Sequence, residues 1–126
     1  MNILALLTGG AIGTLLRYSL SGWTYKYFEE IFPWGTLVVN LISSFAIGFL
    51  WELFERWAFS PNVRTFVFIG ILGGFSTFST YVIETANLAR EGETALALSN
   101  IVVSNVLGLI LVYLGLITAR YLIKLV

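Results

Sequence analysis

The stretch Gly70-Ile71-Leu72-Gly73-Gly74-Phe75-Ser76-Thr77-Phe78-Ser79-Thr80-Tyr81 holds three glycines, four hydroxyl residues and three aromatic rings. It lies inside a run that otherwise reads as a membrane-spanning helix. Glycine weakens a helix and hydroxyls compete for its backbone, so the span is expected to break here. Broken backbone survives at membrane depth only where protein or a water-filled cavity surrounds it. Two chemistries then open. Carbonyls freed by a break at Gly73–Thr77 would hold a cation, as broken transporter helices do. An anion would need neutral donors and the positive edges of rings. The Asn40 amide, the Ser and Thr hydroxyls and the rings of Phe75, Phe78 and Tyr81 are of those types. Phe78 and Tyr81, three apart, share a helix face. Rings in membrane proteins also pack or face lipid, so packing remains the competing reading of these three.

Two further seams carry polar residues at helical spacing. Asn40, Ser43 or Ser44, and Gly48 fall on one face, and Asn100, Ser104 and Gly108 on another. Asn105 points away from the second seam. Either seam suits helix–helix hydrogen bonding or the lining of a pore. Gly9 and Gly13 stand four apart, a spacing that lets helices approach closely. Arg17 continues their face, where it either snorkels to the headgroups or caps unwound carbonyls and shapes a pore entrance.

The elements that must position these residues follow from composition. Of 126 residues, 58% are hydrophobic and 11% charged, and mean hydropathy is +0.89. Soluble domains carry about 25% charged residues, so this is an integral membrane protein. Cysteine and histidine are absent, which removes thiol chemistry, disulfides and the usual zinc or haem sites. Lys+Arg and Asp+Glu number seven each, so no basic face proposes nucleic acid. All seven acidic residues are glutamates, with Glu84 placed within a span. Paired-carboxylate or metal-dependent catalysis has almost nothing to work with, and an enzyme is not expected. The same shortage of membrane carboxylates favours a passive anion path over a proton-coupled pump.

Spans of about 20 apolar residues fit at roughly 3–22, 33–54, 63–89 and 95–122. The fold class is therefore all-α: four transmembrane helices, the third broken, in one domain over 1–126. The first span, with no basic region before it, reads as a retained helix and not a signal peptide. Residues 23–32, with Lys26, Glu29 and Glu30, read as an interfacial loop or short amphipathic helix, and Pro33 opens the second span. Glu52, Glu55 and Arg56 with Ser60-Pro61-Asn62 mark a polar turn whose charges are expected to be solvated. Tyr113, Arg120, Tyr121 and Lys124 serve as closing interfacial anchors. Arg56, Arg64, Arg120 and Lys124 fall on one side of the membrane, against Lys26, Arg90 and a snorkelling Arg17 on the other. Four against three is almost no positive-inside bias. Such a chain would insert both ways, and the expected assembly is a dual-topology antiparallel homodimer.

Four motifs in order carry a family resemblance. Gly9-Gly10-Ala11-Ile12-Gly13-Thr14-Leu15-Leu16-Arg17-Tyr18 resembles the opening motif of the Fluc (CrcB) fluoride channels, and Pro33-Trp34-Gly35-Thr36-Leu37-Val38-Val39-Asn40 their second-span motif. Gly73 to Tyr81, with Glu84-Thr85 following, is similar to their third-span signature. Ser104 with Gly108, then Val112-Tyr113-Leu114-Gly115, completes the set. Each motif alone is weak; together, at family-typical spacing across the whole chain, they are specific. The resemblance implies a passive, fluoride-selective channel in the cell (inner) membrane that exports cytoplasmic fluoride, built as a lipid-embedded antiparallel homodimer with two fluoride pores running through it. It implies a sodium ion on the dimer axis, held by the backbone carbonyls of Gly73 and Ser76 from each subunit. It places Asn40 at a pore mouth, Phe78 and Tyr81 where ring edges meet fluoride, and Ser104 in the pore. Tyr81 departs from the phenylalanine of many members, and Asn100 falls where some carry tyrosine. Arg17 matches a vestibule arginine and Glu84 a family glutamate, which if buried should be paired or protonated.

Two other classes compete. A proton-coupled exporter like the small multidrug transporters would need a glutamate in the first span, and that span has no acidic residue. A helper subunit without transport would carry a polar break in lipid for no gain.

Overall fold

The computed structural model describes residues 3–28 and 31–125. Its described residues form helices α1 (Ile3–Tyr27), α2 (Trp34–Arg56), α3 (Pro61–Arg64), a π-helical segment (Thr65–Leu72), α4 (Gly73–Phe75), α5 (Ser79–Arg90) and α6 (Thr94–Leu125). Four stretches are long and apolar enough to cross a membrane: α1, α2, the run Pro61–Arg90, and α6.

The helix α1 passes the expected end of its span and runs to Tyr27. The segment read as an interfacial loop or separate short helix is, through Tyr27, a direct continuation of the first span. Residues 23–27 contain neither glycine nor proline to stop it, and Thr24 Oγ1 donates along the helix to the Leu20 carbonyl at 2.8 Å. A 25-residue helix is about 37 Å long, more than the ~30 Å hydrocarbon core. The membrane boundary and the helix boundary do not coincide. Glu29 and Glu30 lie outside the described residues.

Pro61 opens the third span at a position where its missing N–H costs nothing, and Ser60 Oγ accepts from Val63 N at 3.4 Å. The chain then widens into the eight-residue π-helical segment. Regular helix resumes in α4, Ser76 turns out to extended geometry with ψ 159°, and α5 begins at Ser79. After α5 the chain reverses through Gly92, whose φ of 84° lies in the left-handed region.

Two backbone-close seams hold the bundle. Against α1 lies the third span: a Cβ on Gly9 would come within 2.6 Å of the Phe66 carbonyl oxygen, and one on Gly74 within 2.8 Å of the Gly10 carbonyl oxygen. A Cβ on Gly13 would collide with the Ile71 carbonyl. Against α2 lies α6, its most extensive partner, where Gly48 meets the Val112 carbonyl and Gly115 the Phe45 carbonyl. Without a hydrophobic force between helices in lipid, such close packing supplies the association energy. Gly13→Ala is therefore expected to destabilise the protein by about 1–3 kcal/mol, the usual cost of overpacking. Gly13→Val should cost more. A lowered thermal midpoint in detergent, graded Gly>Ala>Val, checks this; equal midpoints would remove Gly13 from the seam.

The polar turn after α2 is not simply solvated. Glu52 pairs with Arg120 Nε at 2.9 Å, Glu55 accepts from Trp51 Nε1 at 2.9 Å, and Arg64 donates to the Phe54 carbonyl while lying over its ring. These groups sit on adjacent helix ends, which brings partners within reach although Arg120 itself stays largely exposed.

Candidate functional site

The segment between α4 and α5 is held by one side chain. Asn40 Nδ2 donates to the Thr77 carbonyl and Asn40 Oδ1 accepts from the Thr77 N–H, both at 2.9 Å. This pair fixes the amide orientation, since only nitrogen can donate to a carbonyl. The Asn40 backbone is itself anchored: its carbonyl accepts from Ser43 Oγ at 2.9 Å and Ser44 Oγ at 2.7 Å. A buried backbone group left without a partner costs about 1–3 kcal/mol, and the clamp satisfies both groups of Thr77.

The clamp changes the bonding of its neighbours. In an α-helix the Thr77 N–H would bond the Gly73 carbonyl; here it bonds Asn40. The Thr80 N–H would bond the Ser76 carbonyl; here it bonds Thr77 Oγ1 at 3.2 Å, from one residue before the Phe78 that precedes α5. The carbonyls of Gly73 and Ser76 have both lost their ordinary helical donor. Ser76 Oγ turns back to the Leu72 carbonyl at 2.9 Å.

An open cleft of about 380 Å³ lies along this segment, lined by Asn40, Gly73, Ser76, Phe78, Tyr81 and Ser104 among others, with no charged residue in its wall among the described residues. Phe78 is 78% exposed, its ring centroid 5.9 Å from that of Tyr81. The Tyr81 oxygen accepts from Asn105 Nδ2 at 3.1 Å. Ser104 Oγ donates to Asn100 Oδ1 at 3.1 Å, and Asn100 Nδ2 donates to Thr85 Oγ1 at 2.8 Å. Asn100 is almost fully buried. Thr85 Oγ1 donates to the Tyr81 carbonyl at 2.7 Å, so this chain of hydrogen bonds ties α6 to α5 at the Tyr81 backbone.

Comparison with known proteins gives these features a context. The family described as CrcB-like protein, Camphor Resistance (CrcB), matches residues 4–116. The chain belongs to the CrcB family. Among its CrcB relatives, a protein of Parabacteroides distasonis named fluoride-specific ion channel FluC is 44% identical over 126 residues, covering all of this chain and 98% of the relative. Proteins of the same name from Desulforapulum autotrophicum and Magnetococcus marinus are 47% and 44% identical, covering 88% and 95% of this chain and 90% and 98% of their own. This CrcB chain is accordingly a multi-pass membrane protein.

Of the residues singled out by sequence, the CrcB chain brings Asn40, Gly73, Ser76, Phe78, Tyr81 and Ser104 to one cleft. Arg17 and Glu84 stand elsewhere. Arg17 lines a second cleft of about 500 Å³ with Tyr18, Ser21, Thr77 and Thr80, on the other side of Thr77. It lies ten residues before the end of α1 at Tyr27, about 15 Å by helical rise, and thus in the helix interior. Glu84 lines a third, smaller cleft with Tyr25, Pro33 and Asn87. The Tyr25 hydroxyl reaches Glu84 Oε1 at 3.5 Å, the long limit of a hydrogen bond. Phe75 is buried and packs within the CrcB bundle.

Two residues of the cleft escape sequence reasoning. Asn105 stands off the Asn100–Ser104–Gly108 seam, yet it reaches Tyr81 across two helices. Thr77 shows only as one hydroxyl among four, and its role lies in its backbone. An isolated Asn at membrane depth, where a polar side chain needs a reason to be, is the one signal by which Asn105 could have been found.

Proposed function

We propose that this protein is a passive, fluoride-selective channel that exports cytoplasmic fluoride across the cell inner membrane. What carries the reading is the cleft beside Thr77: amide and hydroxyl groups, the rings of Phe68, Phe78 and Tyr81, and among the described residues no charged side chain in its wall. Fluoride holds its water tightly, so a path must offer donors in its place; a fixed cation would trap the ion and a carboxylate would repel it. Asn40 keeps one amide proton beyond its bond to Thr77. Ser104 has a hydroxyl free to rotate from Asn100 toward a passing anion. Phe78 and Tyr81 add positive ring edges. The name borne by the relatives, fluoride-specific ion channel, is in keeping with this chemistry.

The assembly we propose is an antiparallel homodimer of two oppositely inserted copies, in which Phe78, exposed on one chain, faces the partner. The carbonyls of Gly73 and Ser76 fit a hard monovalent cation such as sodium: neutral oxygens, each relieved of its helical donor by the Asn40 clamp and by the Thr77 hydroxyl. Sodium there would fix the two interrupted segments against each other. Arg17 and Glu84 act away from the ion path, in the vestibule and in support of the third span. A proton-coupled exporter is disfavoured, because the described part of the first span carries no acidic residue and Glu84 lies outside the cleft.

Passive flow has a direct check. Fluoride efflux from liposomes loaded with potassium fluoride, with valinomycin present to balance charge, is expected to run at the same rate with a proton gradient of either sign or none. Efflux that stops when the proton gradient is collapsed would make the protein a coupled transporter.

A further inference from the structure

We infer that the Tyr81 hydroxyl, oriented by Asn105, is a hydrogen-bond donor to the permeating anion, so that this chain adds an O–H ligand beside its ring edges. The inference rests on the channel reading and specifies one of its contacts.

The direction of the proton follows from Asn105. Its Nδ2 donates to the Ile101 carbonyl at 2.7 Å and to the Tyr81 oxygen at 3.1 Å. A carbonyl only accepts, so the nitrogen end of the amide must face this side, and both of its protons are committed. Tyr81 oxygen is thus the acceptor in the pair. The phenol's own proton points away from Asn105, and among the described residues no protein acceptor receives it. Tyr81 and Asn105 both line the cleft that holds Asn40, Phe78 and Ser104, so that cleft is where the proton has room to act. Accepting one hydrogen bond also polarises the phenol and strengthens it as a donor. The Asn105 side of α6 is exposed on the single chain, and a polar pair on lipid would be costly; a hydrated anion path gives it a partner.

Asn105 is a positioning residue in this scheme, and Tyr81 the contact. Hydrogen bonds to charged groups contribute about 1.5–3 kcal/mol, so loss of one should weaken fluoride binding about tenfold or more. The test is fluoride flux through reconstituted protein as a function of fluoride concentration. Tyr81→Phe, which keeps the ring, is expected to raise the half-saturating concentration about tenfold. Asn105→Leu should raise it similarly, and the double variant no further than Tyr81→Phe alone, because both remove the same bond. A purely structural role would instead lower the maximal flux of both variants at an unchanged half-saturating concentration, and that result would overturn the inference. Effects of the two substitutions that multiply would also overturn it. If the unsubstituted protein releases no fluoride, the channel reading fails and takes this inference with it; if it conducts and Tyr81→Phe matches it, this inference alone falls.

Discussion

Asn40→Asp should abolish fluoride flux and lower thermal stability together. The substitution is nearly isosteric, yet it replaces the donor facing the Thr77 carbonyl with an acceptor. Two oxygens would then confront each other at the distance of the present 2.9 Å bond, and the Thr77 carbonyl would lose its partner. An unsatisfied buried group of that kind costs about 1–3 kcal/mol. The new charge would also stand in the wall of the anion cleft, where repulsion adds to the barrier; each 1.36 kcal/mol slows passage tenfold, so about 3 kcal/mol in all predicts a loss of roughly 100-fold. Flux and melting midpoint measured on the same preparation separate the two effects. A variant that melts early but conducts normally would leave Asn40 as a clamp only, outside the path.

Phe78→Ile is the second large effect, and its signature is the opposite: lost flux without lost stability. Phe78 is 78% exposed on the chain and lies beside the Tyr81 ring at 5.9 Å, so its removal opens no cavity within the bundle. Isoleucine supplies bulk but no polarised ring edge. Fluoride efflux from a folded, dimeric preparation is expected to fall by at least about 100-fold, the consequence of some 3 kcal/mol on the barrier. Unchanged efflux from such a preparation would eliminate the ring edge as a fluoride contact.

The contrast between Asn40 and Phe78 marks what the sequence could tell. Four apolar stretches are legible because a membrane span needs about 20 such residues and little else resembles one. The Gly9–Gly13 spacing announces a close approach, but nothing in it names Phe66, Gly70 or Ile71 as the opposing backbone. Gly73 to Tyr81 stands out by composition alone. What holds that segment does not, because Asn40 is 37 positions away and hydrogen-bond pairing across helices leaves no periodic trace. The end of α1 is not legible for a related reason: hydropathy marks where the apolar run ends, and the helix continues past it through Trp23 and Tyr25 to Tyr27. Glu52 and Arg120 each look like a solvated terminal charge, and only the α2–α6 pairing brings them to 2.9 Å.

A path selective for fluoride is distinguished from a general anion leak by side-by-side release of fluoride and chloride. Purified protein in liposomes loaded with both potassium salts, with valinomycin added to start the flow, would be followed with a fluoride electrode and a chloride electrode in one vessel. Rapid fluoride release with chloride retained is the predicted result. Equal release of the two anions, or retention of both by protein shown to be reconstituted, would contradict it.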